Sequence, residues 1–333
     1  RATIHRMIPN ADVVLENFGP GTMERLGCGY EQLLPFNKRL IFLALKGYLA
    51  GPYENRPALD EVVQFQSGLA WMTGPPGQPL RAGASVIDIL GAMFGVIAVQ
   101  GALRERDETG IGQRVSSSLF ESAVFLMGSH MAGMAATGLD ARPMPARRGA
   151  WAVYDVFNTG DDGQLFIGVT SDQQWERFIL EFNLEKLAAN PRLETNVTRL
   201  AERSWLLPEI QAALLKFTQK ELEQRCEHCN ISWAPVGQPK DLFEDPHLLA
   251  TGGLVDVFVS KFGEDIGKMT GLPALPVEFG MERKRPKVRL QPPKIGEHNE
   301  EILLQYGFEK DEIQSLYRSS VLTDYKRIKI LSD

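Results

Sequence analysis

Three short strand-like stretches decide the architecture of this chain. "DVVLENF" (12–18) and "RLIFLALK" (39–46) are too short for a core helix and end in polar or glycine-rich loops, and "GQRVSSSLF" (112–120) leads from a glycine loop through three serines into an apolar helix. Between them the apolar residues recur at helical spacing. Strands alternating with amphipathic helices bury their backbone groups in a parallel sheet, so the spacing predicts an α/β fold. The elements read as a strand at 12–16, a helix at 22–34 and a strand at 40–45. A helix at 58–69 and a long apolar helix at 85–106 follow, then a strand running into a helix at Ser118. "TGPPGQPLRAG" (73–83) lacks the Lys-Ser/Thr of a phosphate-binding Walker loop and reads as a turn.

The pattern changes at 138–150, where "GLDARPMPARRGA" interrupts the periodic segments with Pro, Arg and Gly in the manner of a linker. Beyond it, "WAVYDVFNTGDDGQLFIGV" is two alternating runs around a Gly/Asp turn, the pattern of a β-hairpin. Helices are expected at 172–182, 205–216 and 219–228. After about residue 285 the chain becomes Pro-rich and basic, then helical again from Asn299. This order predicts a large domain over 1–140, a smaller α+β domain over 141–285, and a return to the large domain over 286–333. The chain opens in mid-helix, with no apolar leader, as though it began inside a domain.

Charge removes one class of partner. With 36 basic and 42 acidic side chains the formal charge is −6, so there is no global basic footprint for nucleic acid. The most apolar stretches, 87–99 and 119–134, carry Gly, Ser or His and read as buried helices, with no membrane span. Cys28, Cys226 and Cys229 are too few for a disulfide framework and point to a reducing, cytoplasmic location. The C-E-H-C at 226–229 is half of a zinc pattern without a partner pair, so no metal site is expected. Arg142, Arg147 and Arg148 in the linker hint at a polar or dicarboxylic ligand, although a solvated basic loop has the same composition. Trp71 and Trp151 could line an acyl pocket or simply pack. His130 reads as a helical histidine and His298 as a group orienting the C-terminal segment.

Glu121 stands at the entrance of the helix that begins after Ser118. Ser118 and Glu121 have the S-x-x-E spacing of a capping box, in which serine and glutamate satisfy each other's first-turn amides. Ser85 to Asp88, "SVID", has a similar look. On local grounds Glu121 is a helix starter.

A longer set of segments changes that reading. "ADVVLENFGPGTMERLGCGYEQL", "GPYENRPALDEVVQFQSGLAWMTG", "GASVIDILGAMFGVIAVQGALRERDETGIGQRV" and "KIGEHNEEIL" occur in the order found in the class III coenzyme A transferases. The chain resembles that family, which includes formyl-CoA transferase, carnitine CoA-transferase and the α-methylacyl-CoA racemases, over essentially its whole length. The resemblance implies a Rossmann-like large domain built from both chain ends, a small middle domain and an interlocked homodimer. It implies a further N-terminal segment carrying part of the nucleotide-binding half. It also implies that Asn17, Phe18 and Arg25 lie along bound coenzyme A, taken as an acyl-CoA substrate. The Gly-Pro-Gly loop before Arg25 would offer helix-mouth amides to phosphate oxygens.

Two positions depart from the family pattern. Where the transferases carry a reacting aspartate this chain has Glu121, the same carboxylate one methylene longer. Where the racemases carry a histidine, the tripeptide reads Ala58-Leu59-Asp60, and leucine moves no proton. Asp60 is left as an acid supporting the reacting carboxylate, and Asp88 as a structural or ligand-orienting one. The reading is therefore an acyl-CoA:carboxylate CoA-transferase with Glu121 as the covalent residue and Asp60 in support. A non-catalytic acyl-CoA binder and an acyl-CoA racemase or isomerase are the alternatives.

Overall fold

Val13–Glu16 (β1), Ile41–Lys46 (β2) and Arg114–Ser118 (β3) form one sheet in the computed structural model of the chain, which describes residues 1–146, 149–260 and 267–324. All three strands run parallel in the order β1-β2-β3, with Glu16 opposite Ala44 and Lys46 opposite Ser118. The central strand β2 is apolar from Ile41 to Leu45, and its first four residues are buried, as a strand covered on both faces must be. The chain divides into two compact units, Arg1–Arg147 with Glu301–Ile313 and Arg148–Glu300 with Gln314–Asp333.

In the first unit the helix Val86–Thr109 packs on the sheet through Gly95. A Cβ there would stand 3.0 Å from Leu45 Cδ2 and 3.2 Å from Leu43 Cδ2, so glycine permits the close approach. Near the other end of the helix the buried Arg106 pairs with Asp12 Oδ1 at 3.0 Å and donates to the Arg39 carbonyl at 3.3 Å. The helix start is held from outside. Ser85 makes no side-chain capping bond; the carboxylate of Asp60 accepts from the N–H groups of Ile87 at 2.8 Å and Asp88 at 3.1 Å. The "SVID" spacing thus does not produce a capping box, because a buried acid from another helix, Asp60–Gln66, takes those amides first.

Two expected helices end early, each at a glycine. The stretch 22–34 is one turn at Thr22–Arg25 and another at Tyr30–Leu33, separated by Gly27 at φ +72°. Gly68, at φ +88°, ends the helix expected over 58–69, observed as Asp60–Gln66, and a further short helix, Leu69–Thr73, follows it. Both angles lie in the left-handed region, which only glycine adopts freely and which ends an α-helix.

Within one chain the two apolar stretches are not buried helices, and their outer faces are left uncovered. Ile89, Met93, Val96 and Ile97 on Val86–Thr109 are all more than half exposed, and so are Phe125 and Met131 on Leu119–Thr137. Val86–Thr109 is also long and apolar enough to cross a membrane by length and composition. The glycines taken as interruptions do not interrupt it: Gly91, Gly95 and Gly101 lie inside a continuous helix.

The second unit is built on Tyr154–Asn158 (β4), Gln164–Gly168 (β5) and Ser232–Pro235 (β6), an antiparallel sheet in that order. The expected hairpin is β4 and β5. Asp172–Glu181, Arg203–Leu214 and Gln219–His228 cover it, burying Phe157, Leu165, Ile167, Phe178, Leu206, Ile210 and Leu222 together. Arg199 lies inside this core, where it donates to the Leu193 carbonyl at 2.8 Å, pairs with Asp172 and faces the Trp175 ring. A second hairpin, Leu254–Ser260 (β7) with Gly267–Pro273 (β8), was not foreseen. Its strands carry the alternation only weakly, with Gly267, Gly271 and Pro273 in β8. In the C-terminal stretch the orienting group is Asn299, whose Nδ2 donates to the Thr323 carbonyl at 2.9 Å and to the Tyr317 hydroxyl at 3.3 Å, and not the neighbouring His298.

Cys226 and Cys229 lie buried and unpaired in the same core, and Cys28 is buried and unpaired in the first unit. Among the described residues no group of three or more His, Cys, Asp or Glu side chains is arranged to hold a metal ion. Burial, followed by the charges around them, pushes the Cys226 thiol up to about 12 and the Cys229 thiol up to about 11, from an ordinary 9.0. The folded state therefore holds protons that the unfolded chain gives up first. This contribution is complete below pH 9 and is lost as pH rises from about 9 towards 11 and 12. Denaturant melts across that window should show stability falling with pH, and Cys226→Ala should flatten the fall.

Candidate active site

The parallel sense of the first sheet gathers three strand ends at one edge. β1 ends at Glu16, β2 at Lys46 and β3 at Ser118. Ligands of open α/β sheets bind beyond the carboxyl ends of the strands, where the loops diverge. A cleft of about 690 Å³ opens at that edge, lined by Asn17, Phe18, Lys46, Arg56, Leu59, Asp60, Asp88 and Ser118 among others.

A buried ion pair shapes its floor. Glu16 is 4% exposed, and its carboxylate meets Lys46 Nζ at 2.6 Å. The same ammonium donates to the Phe18 carbonyl at 2.9 Å, while the Phe18 N–H donates to Glu16 Oε2 at 2.9 Å. The chain is thus tied back on itself where it leaves β1, which fixes the turn that carries Asn17 and Phe18. A charge buried this deeply persists only with its counter-charge and its remaining hydrogen bonds satisfied.

Glu121 lies in the first turn of Leu119–Thr137, two residues beyond the cleft-lining Leu119, and its side chain is exposed. The capping box forms only by half. Ser118 Oγ accepts from the Glu121 N–H at 3.3 Å, as an N-cap should. The carboxylate does not return to the Ser118 amide. It accepts from the Ser118 hydroxyl and from the Leu49 N–H, which lies 3.4 and 3.3 Å from its two oxygens. The loop after β2 thus holds the carboxylate in place, and that loop is in turn fixed by the Phe120 N–H donating to the Gly47 carbonyl at 2.9 Å. An aromatic cluster of Tyr48, Tyr53 and Phe120 backs it, with ring centroids 5.6 to 6.3 Å apart. The Arg56 guanidinium lies 3.9 Å from the centre of the Tyr53 ring, a cation–π stack at the cleft wall.

The structure brings Asn17, Phe18 and Asp60 into one cleft and stands Glu121 beside its edge. Arg25 is not among the lining residues; its guanidinium donates to Thr22 Oγ1 at 2.8 Å and to the Pro20 carbonyl at 3.3 Å, bracing the loop it follows. The helix mouth expected there is the single turn Thr22–Arg25, too short for a helix dipole to develop. Asp60 is buried, 5% exposed, with both oxygens engaged: one by Gln64, the other by the amides of Ile87 and Asp88. Burial, then the charges of Asp60 and Glu61, pushes the neighbouring Asp88 carboxyl above its ordinary value. Trp71, half-exposed, and Trp151, packed on Tyr154 with centroids 5.2 Å apart, are not among the residues that line the cleft. Arg142 is exposed, and Arg147 and Arg148 lie outside the described residues.

Sequence reasoning missed Glu16, Lys46 and the Leu49 amide. The first two left a signal, charges of opposite sign at the last positions of two apolar strands, which a parallel sheet sets side by side. The amide left none.

The chain matches the family model described as CoA-transferase family III over residues 1–299. It is 32% identical over 324 residues to an acyl-CoA transferase of Fusarium pseudograminearum, covering 97% of this chain and 70% of that one. It is 30% identical over 310 residues to a succinate–glutarate CoA-transferase of Agrobacterium fabrum, covering 91% of this chain and 74% of that protein. The crystal structure of a CAIB/BAIF family protein from Brucella suis superposes with a TM-score of 0.79 at 26% identity, over 92% of this chain and 78% of that one. Agreement of this length in sequence and in fold establishes that the protein belongs to CoA-transferase family III.

Proposed function

We propose that this chain moves CoA between carboxylic acids by covalent chemistry at Glu121. The observation that carries the reading is an exposed carboxylate held by two donors beside a cleft at the carboxyl ends of a parallel sheet. A Glu121 oxygen attacks the thioester carbon of an acyl-CoA; the C–S bond breaks, leaving a mixed anhydride and CoA thiolate. The thiolate then attacks the Glu121 carboxyl carbon, releasing the first acid and forming a glutamyl-CoA thioester. An acceptor carboxylate reverses the two steps, takes the CoA and restores Glu121. No net proton moves, which suits a site whose nearest partners of the carboxylate are neutral donors. Asn17 and Phe18, fixed by the Glu16–Lys46 pair, are the proposed CoA contacts, with Arg25 on the loop behind them and Asp60 supporting through the helix it caps. Leu59, at the place of the racemase histidine, offers no acid–base partner. The buried, unpaired cysteines support a reducing cytoplasmic setting.

The exposed apolar surface of Val86–Thr109 and Leu119–Thr137 supports a homodimer in which a second copy covers it. Sedimentation at micromolar concentration should show a dimer; a stable monomer overturns this assembly and leaves the chemistry at Glu121 untouched.

The chemistry is tested at residue 121. With acyl-CoA and hydroxylamine, mass spectrometry should find a hydroxamate on Glu121, and borohydride should reduce the trapped thioester to an alcohol. Glu121→Gln should lower kcat by roughly 10³-fold or more while CoA still binds, because the amide keeps the shape and loses the nucleophile. Glu121→Asp should retain partial activity, reduced by about 10²-fold, since the carboxylate is withdrawn by one bond. Full turnover in Glu121→Gln would remove Glu121 as the covalent residue.

A further inference from the structure

We propose that the Ser118 hydroxyl and the Leu49 N–H act together as the oxyanion site for attack on Glu121's own carboxyl carbon. The proposal rests on the covalent reading of Glu121. Both donors contact the carboxylate oxygens: Ser118 Oγ donates to Oε2, and the Leu49 N–H lies 3.3 Å from Oε2 and 3.4 Å from Oε1. Both are held by the fold. Ser118 is 4% exposed at the end of β3, where its carbonyl accepts from Ser122 Oγ at 2.5 Å and its hydroxyl also receives the Glu121 N–H. Leu49 follows Gly47 and Tyr48, which are pinned by the Phe120 amide and by a 2.6 Å bond from the Tyr48 hydroxyl to Gln66.

The direction of charge flow decides which step these donors serve. When Glu121 attacks a thioester, negative charge leaves its oxygens, and donors already bound there oppose the step. When CoA thiolate attacks the acylated Glu121, the new S–C bond sends an electron pair onto the carbonyl oxygen. Collapse of that oxyanion breaks the bond from the Glu121 carbon to the acyl oxygen and expels the first acid as its carboxylate. Charge then grows on the very atom the donors face, so they stabilise this transition state more than the ground state. The same holds when the acceptor carboxylate attacks the glutamyl thioester. Ser118 is therefore a catalytic residue of the second and third steps and a brake on the first.

The test compares Ser118→Ala, Ser118→Gly and Ser118→Thr with the wild-type chain. Glycine is tolerated at an N-cap, so Ser118→Gly removes the hydroxyl with little loss of helix stability and serves where Ser118→Ala folds poorly. Removing one such donor should lower kcat by roughly 10²- to 10³-fold, with KM for acyl-CoA within about threefold. Quenched-flow mass spectrometry with acyl-CoA alone should show the Glu121 adduct shifting from the CoA thioester to the acyl form without CoA. Ser118→Thr, which keeps a hydroxyl, should restore most of the turnover. A kcat within about threefold of wild type in Ser118→Gly, or an unchanged proportion of CoA-bearing adduct, overturns the proposal. Absence of any Glu121 adduct in the wild-type chain is a separate failure, that of the covalent reading on which this one rests.

Discussion

The parallel register of β1, β2 and β3 is the constraint on which the site depends. It sets Lys46 directly opposite Ser118 and two steps beyond the level of Glu16, so a charge pair and a hydroxyl arrive at one edge from three strands spread over residues 13–118. A slip of one residue in β3 would turn Ser118 to the other face of the sheet. It would also move the start of the Leu119–Thr137 helix, and Glu121 with it. The buried β2 is held by packing on both faces and gives β3 a fixed ladder to pair with. Apolar packing at one end of the strands thus fixes polar chemistry at the other.

Asp60 illustrates how an acid in a cleft can serve through structure. Its place in the sequence suggests direct support of the reacting carboxylate, yet its two oxygens are already occupied by Gln64 and by the first amides of Val86–Thr109. An anion at the mouth of a 24-residue helix is stabilised by the aligned peptide dipoles. The cap in turn fixes where that helix begins, and so places Asp88 and Gly91 in the cleft wall. Gly91 is held from the sheet side as well, its carbonyl accepting from Ser117 Oγ at 2.7 Å. The negative charge of Asp60 also reaches Asp88, adding to the burial that favours its protonated form.

The elements with a long, regular apolar period were legible in the sequence: the three parallel strands, both apolar helices and the β4–β5 hairpin. Misreadings arose where one residue overrides a period. Gly27 and Gly68 each end a helix that its neighbours would continue, whereas Gly91, Gly95 and Gly101 leave theirs intact; the difference is backbone conformation, invisible in the letter. Hydropathy marks the two apolar helices as faces to be covered, and does not say whether the cover comes from this chain or from a second copy. Asn17, Phe18, Asp60 and Glu121 could be singled out because each stands at a position the family likeness marks, and the first three line the cleft. The Leu49 amide could not be, because a backbone N–H acquires a role only from where the loop carries it.

The extra methylene at residue 121 is where local and tertiary structure meet. A glutamate has one more rotatable bond than an aspartate, and a freely rotating carboxylate would spend little time at attack geometry. Fixing such a side chain costs about 1.5–2 kcal/mol of rotamer entropy. Hydrogen bonds to a charged group contribute about 1.5–3 kcal/mol each, and Glu121 accepts from two donors, one on its own helix cap and one on the loop after β2. The Ser118 hydroxyl carries most of that balance, since the Leu49 contact at 3.3 to 3.4 Å is longer than an ordinary N–H···O bond and weaker for it. The longer carboxylate needs that second donor: a capping bond alone would anchor it to its own helix, whereas Leu49 ties it to the loop that follows a neighbouring strand. Its position is then set from the ends of two neighbouring strands, and the added length becomes a fixed displacement of the carboxylate in place of an added freedom.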